Sequence, residues 1–206
     1  HTDGALKVMK CPWVVECPET VPARELRTGM SFLGSFNHHP NLEGIDWFAK
    51  EVMPLFKTGG SAVPLAIYGS GMSERVKKLK SEFVDPVGFV EDAADAYDRH
   101  LVFVAPLLSG AGIKGKVLMA LARGTPCVLS PMAAEGIGLR DGFDVIIAEK
   151  PVDWHRAVMA LIDDADFWAS VSKNGRALAK SQFSFGRARE QMRQAFEAVD
   201  LFGSLA

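Results

Sequence analysis

The sequence predicts an α/β fold: a Rossmann-like, doubly wound parallel sheet of about six strands, with helices on both faces and a helical C-terminal tail. Three observations carry this. From Met30 onward, short apolar runs alternate with amphipathic segments. The run Leu101-Val102-Phe103-Val104-Ala105 is apolar throughout, as expected of a strand buried on both faces. Early runs end at glycine, where a strand turns towards a helix. Sandwiches and helical bundles do not fit these short internal connections.

Residues 1–29 hold Pro12, Pro18 and Pro22 and read as an irregular inter-domain linker, with a short strand at Trp13-Val14-Val15. The domain proper is expected over 30–206. Met30 to Phe36 reads as the first strand, with a glycine at Gly34. Asn41 to Lys57 reads as a helix, because Ile45, Phe48, Val52, Leu55 and Phe56 share one face. Val63 to Tyr68 is a second strand, closed by Gly69-Ser70-Gly71. Ser73 is placed to cap a charged helix from Glu74 to Phe83. A strand over 84–90 around Gly88 and a helix over 91–99 repeat the cycle. The buried run follows, then a glycine-rich loop over 109–115. A helix from Lys116 to Arg123 stops at Gly124, a C-cap signal. Cys127 to Leu129 and Val145 to Ala148 complete the strands. Helices follow from Pro151, broken near Asp163-Asp164 and at Ser184, the last running from Phe185 to Phe202. Its stripe of Ala188, Met192, Ala195, Phe196 and Val199 suits packing on the sheet or a return towards another lobe.

Composition narrows the function classes. With 23 basic against 25 acidic residues the net charge is −2, and no basic run exceeds Lys77-Lys78, which argues against nucleic acid as a partner. The longest apolar run, Leu101 to Leu108, is interrupted by a proline and falls far short of the ~20 residues a transmembrane helix needs. Cys11, Cys17 and Cys127 form no metal pattern and leave an odd thiol, which fits a reducing, cytoplasmic setting. The chain begins at His1 without an initiator methionine, as a processed or truncated piece would.

The loop Ser109-Gly110-Ala111-Gly112-Ile113-Lys114-Gly115-Lys116 is the most informative stretch. Its glycines allow close backbone approach, and the following helix presents free N–H groups with partial positive charge. Lys114 and Lys116 add full charges at the same place, so the assembly suits a diphosphate. The alternative is a tight turn with two solvated lysines. Gly110, Gly112 and Gly115 also spell the dinucleotide fingerprint, with Glu135 twenty residues on. That fingerprint normally follows the first strand directly, whereas about three strand–helix units precede it here. NAD binding is therefore the runner-up.

Five blocks carry a resemblance: Phe32-Leu33-Gly34-Ser35-Phe36-Asn37-His38-His39-Pro40-Asn41; Gly88-Phe89-Val90; Ala105 to Lys116; Ala122-Arg123-Gly124-Thr125-Pro126; and Ala134-Glu135-Gly136. In this order and spacing they resemble the C-terminal half of the retaining, group 1 (GT4-like) glycosyltransferases of the GT-B fold. The resemblance covers about residues 30–200. It implies a lobe that binds a nucleotide sugar, an N-terminal half that mostly binds the acceptor, and catalysis in the cleft between them, with no metal or other cofactor. The acceptor would be a carbohydrate or a lipid-linked sugar, at a cytoplasmic site that allows a peripheral position on the inner membrane face.

The resemblance also implies site residues. Gly34, Ser35, Gly110, Gly112, Ile113, Lys114 and Lys116 would face the diphosphate, with Lys114 stabilising it as it leaves. Phe89, Val90 and Met119 would lie at the base and ribose, and His38, Ala111 and Glu135 near the sugar. Two departures stand out. Ala111 and Met119 occupy positions where many members carry glutamates, one for sugar hydroxyls and one for the ribose. Ser35 and Pro40 or Asn41 stand where an Arg and a Lys often bind phosphate. A ribose hydroxyl without its charged acceptor loses ~1.5–3 kcal/mol of affinity. These losses support an alternative, a non-catalytic lobe serving as a scaffold. Without a second lobe, the chain alone is expected to be inactive.

Asp164-Ala165-Asp166 sits in a polar helix break rather than after a strand and reads as a solvated turn. His38-His39 lacks zinc-ligand company. The near-Walker run from Gly110 to Lys116 continues into Val117, where magnesium binding needs a hydroxyl.

Overall fold

The computed structural model describes residues 13–58 and 63–198. The start of the expected linker with Cys11, and the last helix beyond residue 198 with Val199 and Phe202, lie outside them. Six strands form one parallel sheet: β1 (Met30–Leu33), β2 (Leu65–Tyr68), β3 (Val84–Gly88), β4 (Val102–Ala105), β5 (Cys127–Leu129) and β6 (Ile146–Ile147), in the order β3-β2-β1-β4-β5-β6. This is the expected doubly wound arrangement with helices on both faces. Alternation within β4 shows why it reads as continuously apolar. Val102 and Val104 join the core on one face, and Phe103 and Ala105 the core on the other.

The first face is covered by α1 (His39–Trp47), α2 (Met53–Thr58) and α7 (Pro151–Asp163). Between α1 and α2 the chain makes a wider π turn at Phe48–Val52, with Met53 N–H donating to the Phe48 carbonyl. Pro54 follows at once, and its missing N–H removes an ordinary helical bond at this point. The extra residue shifts the helical phase. Met53 is buried with Val52 and Phe56, and Leu55, expected on the core stripe, is only half-buried.

The second face is covered by α5 (Gly115–Ala122) and α8 (Ala165–Phe183). Gly124 ends α5 with φ +64° and an N–H bond to the Leu121 carbonyl, as its C-cap position predicts. The short α6 (Pro131–Ala134) is capped by Ser130, whose side chain accepts from Ala133 N–H. Three expectations need correction. The helix expected over 74–83 is the single turn α3 (Glu74–Lys77), without a side-chain cap bond from Ser73, and the one expected over 91–99 is α4 (Asp95–Asp98). α3 buries only Val76, and α4 only Ala96 and Tyr97, so packing sustains no more than a single turn in each. The first strand stops at Leu33 rather than Phe36, because the chain turns at Gly34 into the loop before α1.

Residues 13–29 are irregular apart from a 3₁₀ turn at Arg24–Leu26, and they are held against the domain. In place of a strand at 13–15, Val15 alone bridges to Ser184, its N–H donating to the Phe183 carbonyl where α8 meets α9 (Phe185–Ala198). Arg27, 3% exposed, donates to the carbonyls of Pro22, Tyr97, His100 and Arg123 and to Thr125 Oγ1. Its guanidinium lies 5.6 Å from the Trp168 ring centroid.

Candidate functional site

The strand order reverses direction between β1 and β4, and loops leaving these strands diverge there to open a crevice. Two cavities occupy it. The first, about 410 Å³, is lined by Gly34, Ser35, Gly69, Phe89, Val90, Met119 and Trp13 among others. The second, about 310 Å³, is lined by Ser35, His38, Gly110, Ala111, Ile113 and Lys114 among others. Ser35, Asn41 and Lys116 line both, so the two form one trough.

The floor of the first cavity is main chain. Gly69 has φ +145°, and a Cβ built on it would lie 1.8 Å from the Gly34 carbonyl oxygen, so the ends of β1 and β2 touch backbone to backbone. A Cβ on Gly34 would come within 2.7 Å of Asn41 Nδ2 and 3.0 Å of Lys116 Nζ. Helix α1 approaches the β4 exit loop in the same way: a Cβ on Gly44 would lie 2.2 Å from the Pro106 carbonyl oxygen. Glycine at these positions is a packing requirement. Phe89, 72% exposed, and Met119, 36% exposed, stand as apolar walls.

Lys116, in the first turn of α5, reaches back across the crevice to β1. Its Nζ lies 4.5 Å from the Phe32 ring centroid and donates to Asn41 Oδ1 at 2.5 Å. Asn41 Nδ2 in turn donates to the Ser35 carbonyl at 2.8 Å. Burial, reinforced by the nearby charge of Lys114, pushes the Lys116 ammonium down to about 7. Lys114 is itself buried, and its Nζ donates to the Gly112 carbonyl at 2.6 Å, closing the glycine loop on itself. Positive φ at Gly110 and Gly112 permits that closure. The Ser109 hydroxyl donates to Glu43 Oε2 at 2.7 Å and fixes the loop to α1. The N–H groups of Gly115 and Lys116 have no acceptor within the helix, by the geometry of its first turn. No carboxylate lines either cavity, and the cations, helix terminus and glycines suit the trough to an anion.

The structure thus gathers most of the residues read from the sequence. Gly34, Ser35, Phe89, Val90, Met119 and Lys116 line the first cavity, and His38, Gly110, Ala111, Ile113 and Lys114 line the second. Gly112 contributes its carbonyl to Lys114. Glu135 is exposed and lines neither cavity, although a Cβ on its neighbour Gly136 would lie 3.6 Å from Ile113 Cγ1. Lys116, more than Lys114, addresses the whole trough. Trp13 and Gly69-Ser70 are additions, and Asn41, read only as one of two residues standing where a phosphate-binding Lys often lies, proves to link Ser35 to Lys116. The Gly69-Ser70-Gly71 strand closure points to Gly69-Ser70, and a polar residue at the buried start of α1 points to Asn41. Nothing in the sequence points to Trp13. Among the described residues, no group of three or more His, Cys, Asp or Glu is placed to hold a metal ion.

Comparison with known proteins agrees with this geometry. The family model for glycosyl transferases group 1 matches residues 27–164. A Klebsiella pneumoniae protein, described as an uncharacterized 44.6 kDa protein in the cps region, is 26% identical over 180 residues, covering 82% of this chain and 44% of its own length. The chain therefore spans less than half of that relative. Sucrose-phosphate synthase from Thermosynechococcus elongatus superposes with a TM-score of 0.73 at 16% identity, over 94% of this chain and 53% of that one. A TarM variant from S. aureus, crystallised with fondaparinux, alpha-GlcNAc-glycerol and UDP, gives 0.68 at 14% identity, over 89% and 37%. The family match begins at Arg27, takes in β1 and the glycine loop, and ends where α7 gives way to α8, and over that span the chain belongs to the group 1 glycosyl transferases.

Proposed function

We propose that this chain is the donor-binding lobe of a retaining glycosyltransferase, holding a nucleoside diphosphate sugar for transfer to a carbohydrate or lipid-linked acceptor. The observation that carries the reading is the trough at the β1/β4 divergence, cationic through Lys114 and Lys116 and continuous across Lys116. The nucleoside lies against Phe89, Val90 and Met119, with Met119 packing on the ribose in place of a charged acceptor. The diphosphate lies over Gly34-Ser35, the backbone at Gly110, Gly112 and Ile113, and the start of α5. The sugar extends past Ala111 and His38 towards the Glu135 loop.

In the transfer, the bond from the anomeric carbon to the distal phosphate oxygen breaks and the diphosphate leaves with the electron pair. An acceptor hydroxyl supplies the new oxygen and passes its proton to the departing diphosphate oxygen. Lys116 and the first-turn N–H groups of α5 oppose the charge that develops on the leaving group, a preorganised stabilisation. An N-terminal half completes the cleft, so this chain alone binds donor without turnover. The UDP bound to TarM supports the choice of ligand, and the cps-region relative supports a role in polysaccharide biosynthesis. No helix among the described residues is long and apolar enough to cross a membrane, and a peripheral position on the cytoplasmic face fits a lipid-linked acceptor.

The test is calorimetric titration of the chain with UDP, GDP, ADP and NAD. One nucleoside diphosphate binds with Kd of order ~1–100 μM, and Lys116→Met weakens it at least ~10-fold, the value of one charge-assisted bond. Preferential NAD binding would make the Gly110-Gly112-Gly115 loop a dinucleotide fingerprint instead. Silence across the panel would overturn the donor reading in favour of a non-catalytic lobe.

A further inference from the structure

Of the described residues that line the trough, Trp13 alone comes from the irregular segment 13–29; the others lie at or beyond β1. Its place is fixed through α8. Two residues on, Val15 is buried, and its N–H donates to the Phe183 carbonyl at 2.8 Å, where α8 gives way to α9. Further along, the Arg176 guanidinium of α8 donates to the Pro18 and Glu19 carbonyls. The segment is thus pinned to α8 on the C-terminal side of Trp13.

At the start of α5 the indole meets main chain. A Cβ on Gly115 would lie 3.1 Å from Trp13 Cζ2, 3.2 Å from Cε2 and 3.3 Å from Nε1, closer than ordinary van der Waals contact. Glycine at 115 lets the ring seat against the first turn. Met119 lies four residues on, on the same face of α5, so it follows Trp13 one turn along the cavity wall. Despite these contacts Trp13 is 57% exposed, and Phe89 is more exposed still. Three large apolar side chains therefore border one cavity of about 410 Å³ with much of their surface in water. A flat, half-apolar ligand gains by covering them.

We propose that Trp13 is a donor-contacting residue supplied by the linker, its indole stacking on the base of the bound nucleotide beside Met119. Stacking suits this position because every base presents a π face. It gives a hold on the nucleoside where Met119 offers the ribose no carboxylate. The contact also ties two events together. A nucleotide covers the indole only when residues 13–15 are seated on α8, so donor occupancy and the seating of this segment favour each other by the same factor. The role rests on the donor-lobe reading.

The experiment is a titration of the chain with UDP, GDP and ADP, followed by tryptophan emission and by calorimetry on the same samples. Trp47, Trp154 and Trp168 line neither cavity of the trough, so a stacked base quenches Trp13. At least one nucleotide quenches the emission saturably. Trp13→Ala, at an exposed position, abolishes the quench and weakens Kd ~10-fold, and Trp13→Phe restores Kd to within ~3-fold of the parent. The same nucleotide slows hydrogen exchange of the Val15 amide, read by NMR, in the parent and not in Trp13→Ala. An unchanged Kd in Trp13→Ala, a quench that survives it, or a Val15 amide indifferent to nucleotide overturns the proposal. So does Trp13→Phe binding as weakly as Trp13→Ala, which would mark the indole as packing for α5 alone. Heat of binding without these effects refutes the role of Trp13 and leaves the donor lobe standing. No heat with any of the three nucleotides refutes the donor lobe and this contact with it.

Discussion

Raising the pH from 7.5 to 9 in the presence of UDP perturbs the trough at one point. Lys116 is enclosed beside Phe32 and Asn41, and its ammonium is pushed down to about 7, whereas a free lysine titrates near 10.5. At pH 8 the empty site then holds the proton in only about one molecule in eleven, from a ten-to-one ratio one unit above the pKa. A bound diphosphate favours the ammonium and restores its proton, so binding takes up ~0.9 proton at pH 8. Affinity correspondingly falls close to tenfold per unit. Between pH 7.5 and 9 the loss is ~30-fold, or ~2 kcal/mol at 1.36 kcal/mol per unit. The second phosphate ionisation, near ~6, is complete below this window and does not interfere. Calorimetry in two buffers of different ionisation enthalpy reads the uptake directly, and Lys116→Met provides the flat control. An affinity constant to pH 9, with no proton exchanged, would refute both the burial of the charge and its contact with phosphate.

Three further expectations follow from the packing. Gly44→Ala, which forces a Cβ to 2.2 Å from the Pro106 carbonyl oxygen, costs ~1–3 kcal/mol by urea denaturation and weakens nucleotide binding by displacing the β4 exit loop; an unchanged midpoint counts against this contact. Arg27→Met strands the carbonyls of Pro22, His100 and Arg123 and destabilises by ~3 kcal/mol, read from the same denaturation curves. His100, bonded to Tyr68 Oη and the Thr28 carbonyl, is held by burial below its ordinary 6.5. The unfolded chain therefore binds the extra proton, so stability holds above pH 6.5 and falls as pH drops through 6.5 towards the folded value. His100→Gln flattens that fall, and an undiminished fall would show that another group is responsible.

The order of strands and the crevice between β1 and β4 were legible because glycine and apolar runs mark strand ends. The shortness of α3 and α4 was not, because α3 buries only Val76 and α4 only Ala96 and Tyr97, and that limit is set by tertiary packing. Pro54 was visible, but the phase shift that leaves Leu55 half-buried and puts Met53 in the core depends on how the π turn packs on the sheet. Lys114 reads from the sequence as the residue that stabilises the leaving diphosphate, and only its closure on the Gly112 carbonyl shows that Lys116, which lines both cavities, addresses the whole trough. Asn41 lay in a family block, yet its role as the link from Ser35 to Lys116 is a tertiary fact. Val15, 169 positions before Ser184, has no local pattern to announce its partner.

The backbone contact between Gly69 and Gly34 has an evolutionary corollary. Side-chain substitution cannot reshape a surface made of peptide groups, because any residue larger than glycine there collides before it can select a ligand. On the proposed donor-lobe reading, changes in nucleotide preference would therefore have to arise at the walls, through Phe89, Met119 and Trp13. Drift at those three positions would retune which base is accepted while the seat beneath it stays the same.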